Sequence, residues 1–403
     1  MSGLGKLIAR ASWPSIGSYP GGKLEPVHSM LSYMRRRVDE RISGLTILEL
    51  TDPRWADFVA RQPSAIPFHH PDWGRLIADC YGFRAFAVTS SDTAGDIRAG
   101  LPVIEVRHLW GERKWVTLPF TDYCPPLIPA PDEGTDLVCA LQRASKAAGI
   151  QRVEVRGPLT GTSTVSHAAL RHVVALDADP DRVFARFHPA VRTHIRQAGR
   201  RGVTIRRAER PEDEDTFYRL HLRTRRRQGV PVQPRRFFRM LWESVISTGL
   251  GTALIAEASG EPVAADIFLT WNGMTIGKFS ASDERAWPLR ANNLVIWHSI
   301  KTACEQGSRW FDFGRSDIGN EGLRTFKLSW GAVEQPLVYE TLGATPEPAS
   351  ARDTPARDTP ARDTSEKASA RDGIADHLLA AVIRRGPPVV CRVAGGALYR
   401  YAA

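Results

Sequence analysis

Lysine is scarce in this 403-residue chain, with eight lysines against 46 arginines. Cysteine is scarce too. Cys80, Cys124, Cys139, Cys304 and Cys391 are odd in number, scattered and never paired as C-x-x-C. That excludes a disulfide framework and a zinc knuckle, and it suits a reducing cytoplasm. No apolar stretch approaches the roughly 20 residues that cross a bilayer. The N-terminal stretch carries Lys6 and Arg10 but no sustained apolar core, so it reads poorly as a signal peptide. Four common motifs are missing: the GxxxxGK[ST] phosphate loop, the HExxH zinc pair, the GxSxG elbow and the GxGxxG dinucleotide fingerprint. Their absence removes the chemistries those motifs carry. His69 and His70 are adjacent, so on a helix they would point about 100° apart; they read as loop or cap residues, and no metal site is expected.

What is present is a globular composition, 42% apolar and 24% charged, at a length that suits two domains. The formal net charge is +10, but its distribution says more. From Arg182 to Arg239 there are 17 arginines, no lysine and five acids, a net of +12. Such a segment predicts an anionic partner such as phosphate, nucleotide or tRNA. A solvated helix face is the competing reading.

The pattern along the chain divides it into five parts. Residues 1–43 read as a loosely ordered arm. Residues 44–178 alternate strands and helices: LTILEL, DPRWADFVARQ, HPDWGRLIADCYG, AFAVTS, AGLPVIEVRHLWG, KWVTLPF, TDLVCALQRASKAAG and QRVEVRGPL. Residues 179–343 repeat that order: a helical run to a stop at Gly202, the strand VTIRRAE and two helices. A three-strand meander turns at Ser259–Glu261 and Asn272–Gly273, and the helix ANNLVIWHSIKTACEQGS leads to the strand RWFDFGRS. Both parts are expected to be α/β units with mixed sheets. Residues 344–372 carry ARDTPARDTPARDT, a charged, proline-rich repeat that reads as a flexible linker. In the tail, 373–403, Leu378, Leu379, Val382 and Ile383 share a helical face, followed by Arg384 and Arg385. The tail predicts peripheral contact with a membrane surface or a partner groove, or a helix folded back on the core. Deleting 344–403 is expected to leave the fold intact.

Candidate site residues cluster late in the second unit. Asp312, Arg315 and Asp317 lie at the end of the RWFDFGRSD strand, where open sheets place ligand-binding groups. Asp312 alternates with Phe311 and Phe313 and faces away from them; it suits a general base or a buried partner for an arginine. Gly314 is expected to supply a turn. Arg192 and Arg196 are i,i+4 neighbours able to bracket a diphosphate.

The string NNLVIWHSIKTACEQGSRWFDFGRSDIGNEGLRTFKLSWGA resembles the last helix, strand and loop of FemAB-type aminoacyltransferases and related acetyltransferase-like proteins. AVRTHIRQAGRRGV, RTRRRQGVP, FHHPDWGRLI and WVTLPFTDY add to the resemblance, which covers about residues 45–342. It implies two tandem GNAT-like acyltransferase domains. It also implies transfer of an acyl or aminoacyl group to an amine on a cell-envelope or polysaccharide precursor. No bound cofactor is expected. The donor is a co-substrate, aminoacyl-tRNA or acyl-CoA, and the acceptor an anionic nucleotide- or lipid-linked precursor. In the peptidoglycan branch, a Phe-Lys pair near the C-terminus of the second domain serves the acyl-donor end; Phe326 and Lys327 match it. Lys327 is then the expected catalytic cation for the tetrahedral oxyanion, with Asp312 as base. Arg192, Arg196, Arg315, Asp317 and Phe326 are the expected substrate contacts. Alanine at Lys327 is expected to cost activity but not thermal stability. Two departures stand out: the long helical hairpin of some FemAB proteins is missing, and RQAGRR puts Arg201 where a CoA pyrophosphate loop has a small residue. The expected setting is the cytoplasm, including the inner membrane face. A CoA-dependent N-acetyltransferase of envelope polysaccharides is the second reading, and a non-catalytic anion-binding protein of the same fold the third.

Overall fold

A computed structural model describes residues 45–107, 111–130, 133–159, 164–343 and 379–399. The arm over 1–43 and the repeat linker over 344–372 lie outside the described residues. Twelve strands can be followed: β1 (Leu45–Glu49), β2 (Arg84–Ser91), β3 (Ile97–Arg107), β4 (Arg113–Val116), β5 (Val153–Val155), β6 (Thr164–Ala175), β7 (Val203–Arg207), β8 (Gly251–Ala258), β9 (Glu261–Trp271), β10 (Met274–Ser282), β11 (Trp310–Ser316) and β12 (Val333–Leu342). They join in one mixed sheet, in the order β1-β2-β3-β4-β5-β12-β6-β11-β10-β9-β8-β7.

The helices are α1 (Pro53–Arg61), α2 (Pro71–Tyr81), α3 (Glu133–Ala147), α4 (Pro180–Ala185), α5 (Pro189–Arg200), α6 (Asp213–Gln228), α7 (Arg235–Leu241), α8 (Ala291–Glu305) and α9 (Glu321–Leu328). In the tail come α10 over 379–385 and α11 (Pro388–Leu398). Their ends obey local chemistry. Asp52 caps α1 by accepting from the Arg54 N–H, with Pro53 in the first turn. His70 caps α2, and the buried His69 ring bridges Ile66 N–H and the Pro125 carbonyl, the cap and loop roles expected of the pair. α6 has three acids in its first turn and three arginines in its last, matching the helix dipole. The run expected as one helix over 179–202 is two helices. Pro189 has no N–H to continue the ladder and forces His188 into an extended conformation.

Each half builds the same unit. An antiparallel meander ends in a strand that crosses a helix to a parallel neighbour: β4–α3–β5 in the first half, β10–α8–β11 in the second. The halves then exchange strands. β6, which precedes the expected boundary at 178, lies between β12 and β11, and β12 also pairs with β5. The two units therefore share one sheet.

The tail does not stand off. Ile383 and Cys391 are fully buried and Tyr399 nearly so, in the cluster that holds Phe217, Val232 and Phe237. Gly395 meets the Val232 carbonyl so closely that no Cβ would fit. Arg225, itself 2% exposed, donates to the Tyr399 hydroxyl, and Arg226 to the Gly386 carbonyl. The inner side of the tail is thus a helix folded back on the core, one of the expected arrangements.

One buried carboxyl gives the fold an unusual pH response. Asp266, on β9, is 4% exposed and accepts from Ser299 on α8. Burial pushes its pKa up to about 7. Because the folded value lies above the unfolded one, stability from this group is full below about pH 4 and is lost as pH rises toward 7. Asp266→Asn should abolish this slope. Between pH 5 and pH 8, urea unfolding of wild type should lose about 2–3 kcal/mol more than the variant does. Parallel losses would show that Asp266 is ionised at both pH values.

Candidate active site

The parallel strands β10 and β11 pair over only three positions, the last being Ile276 with Asp312. Beyond it β10 shifts register between Gly277 and Phe279, and β11 between Asp312 and Arg315. Gly314 takes φ 73°, the left-handed turn expected of it. The strands thus part at their carboxyl ends, leaving backbone polar groups without a ladder partner, which is where a sheet of this kind receives ligands.

The first half sends the stretch 117–124 into this gap. Leu118 and Phe120 both have positive φ, 53° and 60°, which is strained for non-glycine residues. The strain is held by surrounding bonds. Lys278 Nζ donates to the Phe120 carbonyl at 2.9 Å, Trp73 Nε1 to Thr121 Oγ1 at 2.9 Å, and Arg156 to the Thr121 carbonyl at 2.8 Å. The Tyr339 hydroxyl donates to the Asp122 carbonyl at 2.5 Å. The Asp122 carboxylate lies so close that a Cβ on Gly314 would sit 2.9 Å from its Oδ2.

Asp312 meets it from the other side. It is 4% exposed, and its Oδ1 accepts the Gly314 N–H at 2.7 Å. Arg171 NH1 stands 3.5 Å from Oδ2. Burial raises its pKa, and Asp122 adds to the rise; Arg171, the Gly314 N–H and Lys327 oppose it. Two carboxyl groups, one from each half, therefore converge at Gly314. Around them Arg171 stacks on Tyr123, centroid distance 4.6 Å, and Arg156 and Arg315 both lie 5.5 Å from the Tyr339 ring. Arg315 also donates to the Tyr339 hydroxyl and to Asp317. Asp312, Arg315 and Asp317 thus stay together, with Asp122, Arg171, Tyr123 and Tyr339 added. Asp122 was present in the WVTLPFTDY string but had no pattern of its own to mark it.

The other expected contacts are placed elsewhere. Arg192 and Arg196 lie on α5, whose apolar side joins Phe311 in one cluster. Asp312 alternates with Phe311, so these arginines are on the opposite face of the sheet from its carboxyl. Arg196 stacks on Phe184. RQAGRR is the last turn of α5, where carbonyls rather than N–H groups are exposed, so it cannot cradle a pyrophosphate. Phe326 is 37% exposed, its ring 6.1 Å from Trp330. Lys327 corrects one expectation. It is 5% exposed, and its Nζ donates to the Gly314 and Arg315 carbonyls at 3.0 and 2.9 Å. A lysine so placed is part of the packing, and its removal cannot be thermally silent. Beside it the buried His172 bridges Glu334 and Ser316; burial, then the Lys327 charge, lowers its pKa.

Several arginines of the basic segment are paired with acids of this chain: Arg206 with Asp213 and Glu257, Arg223 with Asp283, Arg235 with Asp215. No cluster of ligating side chains among the described residues could hold a metal. A hollow lined by Arg207, Arg210, Glu214 and Trp242 sits beside β7, four strands from β11 and so about 20 Å from Asp312.

Residues 185–327 match the family model of the acetyltransferase (GNAT) domain. These residues thus carry the fold of a GNAT-type acetyltransferase domain. Among solved structures, FemX superposes with a TM-score of 0.60 at 13% identity, covering 73% of this chain and 96% of its own. A conserved protein of unknown function from Bacteroides thetaiotaomicron gives 0.50 at 12% identity, covering 74% and 99%. A tandem GNAT protein from the clavulanic acid biosynthesis pathway gives 0.48 at 13%, covering 75% and 99%. The fold over most of the chain is thus shared with FemX, in line with the resemblance carried by FDFGRS, GLRTFK and WG. No curated protein matches the sequence.

Proposed function

We propose that the protein is an N-acyltransferase of the FemAB type, moving an acyl or aminoacyl group to an amine on a cell-envelope or polysaccharide precursor. The observation that carries this reading is the convergence of Asp122 and Asp312 at Gly314, where β10 and β11 part. Amide formation needs an amine that arrives as an ammonium and reacts neutral. Two carboxyl groups can hold the ammonium, and Asp312, with its raised pKa, is the better of the two at accepting its proton. Arg171 and Arg315 would complement the anionic part of the precursor. Lys327 holds the Gly314 and Arg315 backbone and so positions the turn that carries Asp312's N–H partner.

The donor, aminoacyl-tRNA or acyl-CoA, is the open branch of the proposal. Consumption of acetyl-CoA and deacylation of a mixed aminoacyl-tRNA pool, each with a muropeptide precursor and with an amino-sugar acceptor, decides it. Asp312→Asn should slow the productive pair by about 10²–10⁴-fold, the range for losing a general base. Asp122→Asn should mainly raise KM for the amine. If no pairing turns over, the non-catalytic reading takes its place; if both variants match wild type, the site lies elsewhere.

A further inference from the structure

The outer side of the docked tail is a surface that acyl transfer does not use. The inner sides of α10 and α11 are fixed by Ile383, Cys391 and Tyr399 in the core. On the outer side Val382, Val389 and Val393 are 53%, 59% and 65% exposed. Val389 and Val393 are one turn apart on α11, so they present a single stripe. Arg384, Arg385 and Arg392 are exposed among them, and residues 379–399 contain no acid. Two of these arginines are held in place: Arg384 donates to the Gln228 carbonyl, and Arg392 lies 5.8 Å from the Tyr218 ring. Single exposed valines are ordinary on any surface. Three exposed valines and three guanidiniums within residues 382–393, with no acid between them, make one apolar and cationic face.

We propose that this face docks on an anionic lipid surface. The valines would enter the boundary between headgroups and acyl chains, and the arginines would bind headgroup phosphates. The charge argues for this occupant: the stripe is apolar and cationic at once, and a phospholipid interface supplies the complement to both. α11 has 11 residues, so it lies on a bilayer and does not span it. Docking also orients the site. Tyr399, late in the tail, lies 5.3 Å from the Phe120 ring, and Phe120 belongs to the strained stretch that fills the gap between β10 and β11. The docking face and the candidate active site are therefore joined through Tyr399 and Phe120. The docking face itself does not depend on the acyl-transfer reading.

Vesicle co-sedimentation of the full chain tests it, with phosphatidylcholine alone or mixed with phosphatidylglycerol. Wild type should bind the mixed vesicles and release with salt. Val389→Asp combined with Val393→Asp should lose roughly tenfold or more in partitioning, and Arg385→Glu on the order of tenfold. All three positions are exposed, so melting curves should not move. Wild type that ignores the mixed vesicles, or variants that bind as well as wild type, would overturn the proposal. So would a dimer dissolved by the valine substitutions in a protein that does not bind lipid, which would assign the stripe to a second copy of the chain.

Discussion

Removing residues 344–403 should lower the melting temperature by about 5–10 °C and leave a protein prone to aggregate. The tail contributes Ile383, Cys391 and Tyr399 to a core that also contains Tyr81, Phe217, Val232 and Phe237. Full burial of each large apolar side chain is worth about 1.5–3 kcal/mol, so the three together supply on the order of 5 kcal/mol. The deletion also strips Arg225 of its bond to the Tyr399 hydroxyl and Arg226 of its bond to the Gly386 carbonyl. Arg225 is 2% exposed, so it would lose one partner in a low-dielectric setting, where that loss is costly. For a protein of this size each kcal/mol moves the midpoint by about 1–2 °C. Calorimetry on the shortened and full chains decides the matter. Coincident midpoints would mean that the docked tail adds nothing net. Val389→Asp, which leaves the inner face alone, is the control and should melt like wild type.

The tail also shows what local pattern can and cannot reveal. Leu379, Val382 and Ile383 mark a helix with an apolar face, but periodicity says nothing about which surface that face covers. Ile383 goes to the core and Val382 to the outside, one residue apart. The candidate site divides in the same way. Gly314 and its neighbours Asp312 and Arg315 were legible because a strand ending in a polar turn has a local signature. Asp122 was not, because its approach to Gly314 depends on contacts nearly 200 residues apart in the chain. The exchange that seats β6 between β11 and β12 is equally non-local. β6 lacks clean alternation, and the expected boundary was drawn after it rather than through the sheet it joins. Arg192 and Arg196 do share one side of a helix, as their spacing implies. Spacing could not show that α5 packs on the Phe311 face of the sheet, away from the Asp312 carboxyl.

Lys327→Met should both destabilise the protein and shift its acid–base behaviour, and the two effects can be separated. The ammonium is 5% exposed and bonded to the Gly314 and Arg315 carbonyls. Methionine fills most of the volume but leaves those acceptors without it, at about 1–3 kcal/mol for each buried group left unsatisfied. The midpoint should therefore fall by several degrees, where a solvent-exposed lysine would give no change. The electrostatic effect has a definite sign. The Lys327 charge is among those that hold the Asp312 pKa down against burial. Without it the carboxyl should ionise at higher pH, and any step that needs Asp312 as a base should begin at higher pH too. Lys327→Arg keeps the charge while straining the packing, because a planar guanidinium cannot replace a compact ammonium between two adjacent carbonyls. It should destabilise without moving that onset. The pH profile of kcat/KM reads this directly once an acceptor is in hand. Before then, carbon NMR of the Asp312 carboxyl gives the same information. A purely structural Lys327 would lower the midpoint in both variants and shift the titration in neither, whereas a titration that moves in Lys327→Met and stays in Lys327→Arg makes it the residue that sets the charge state of the base.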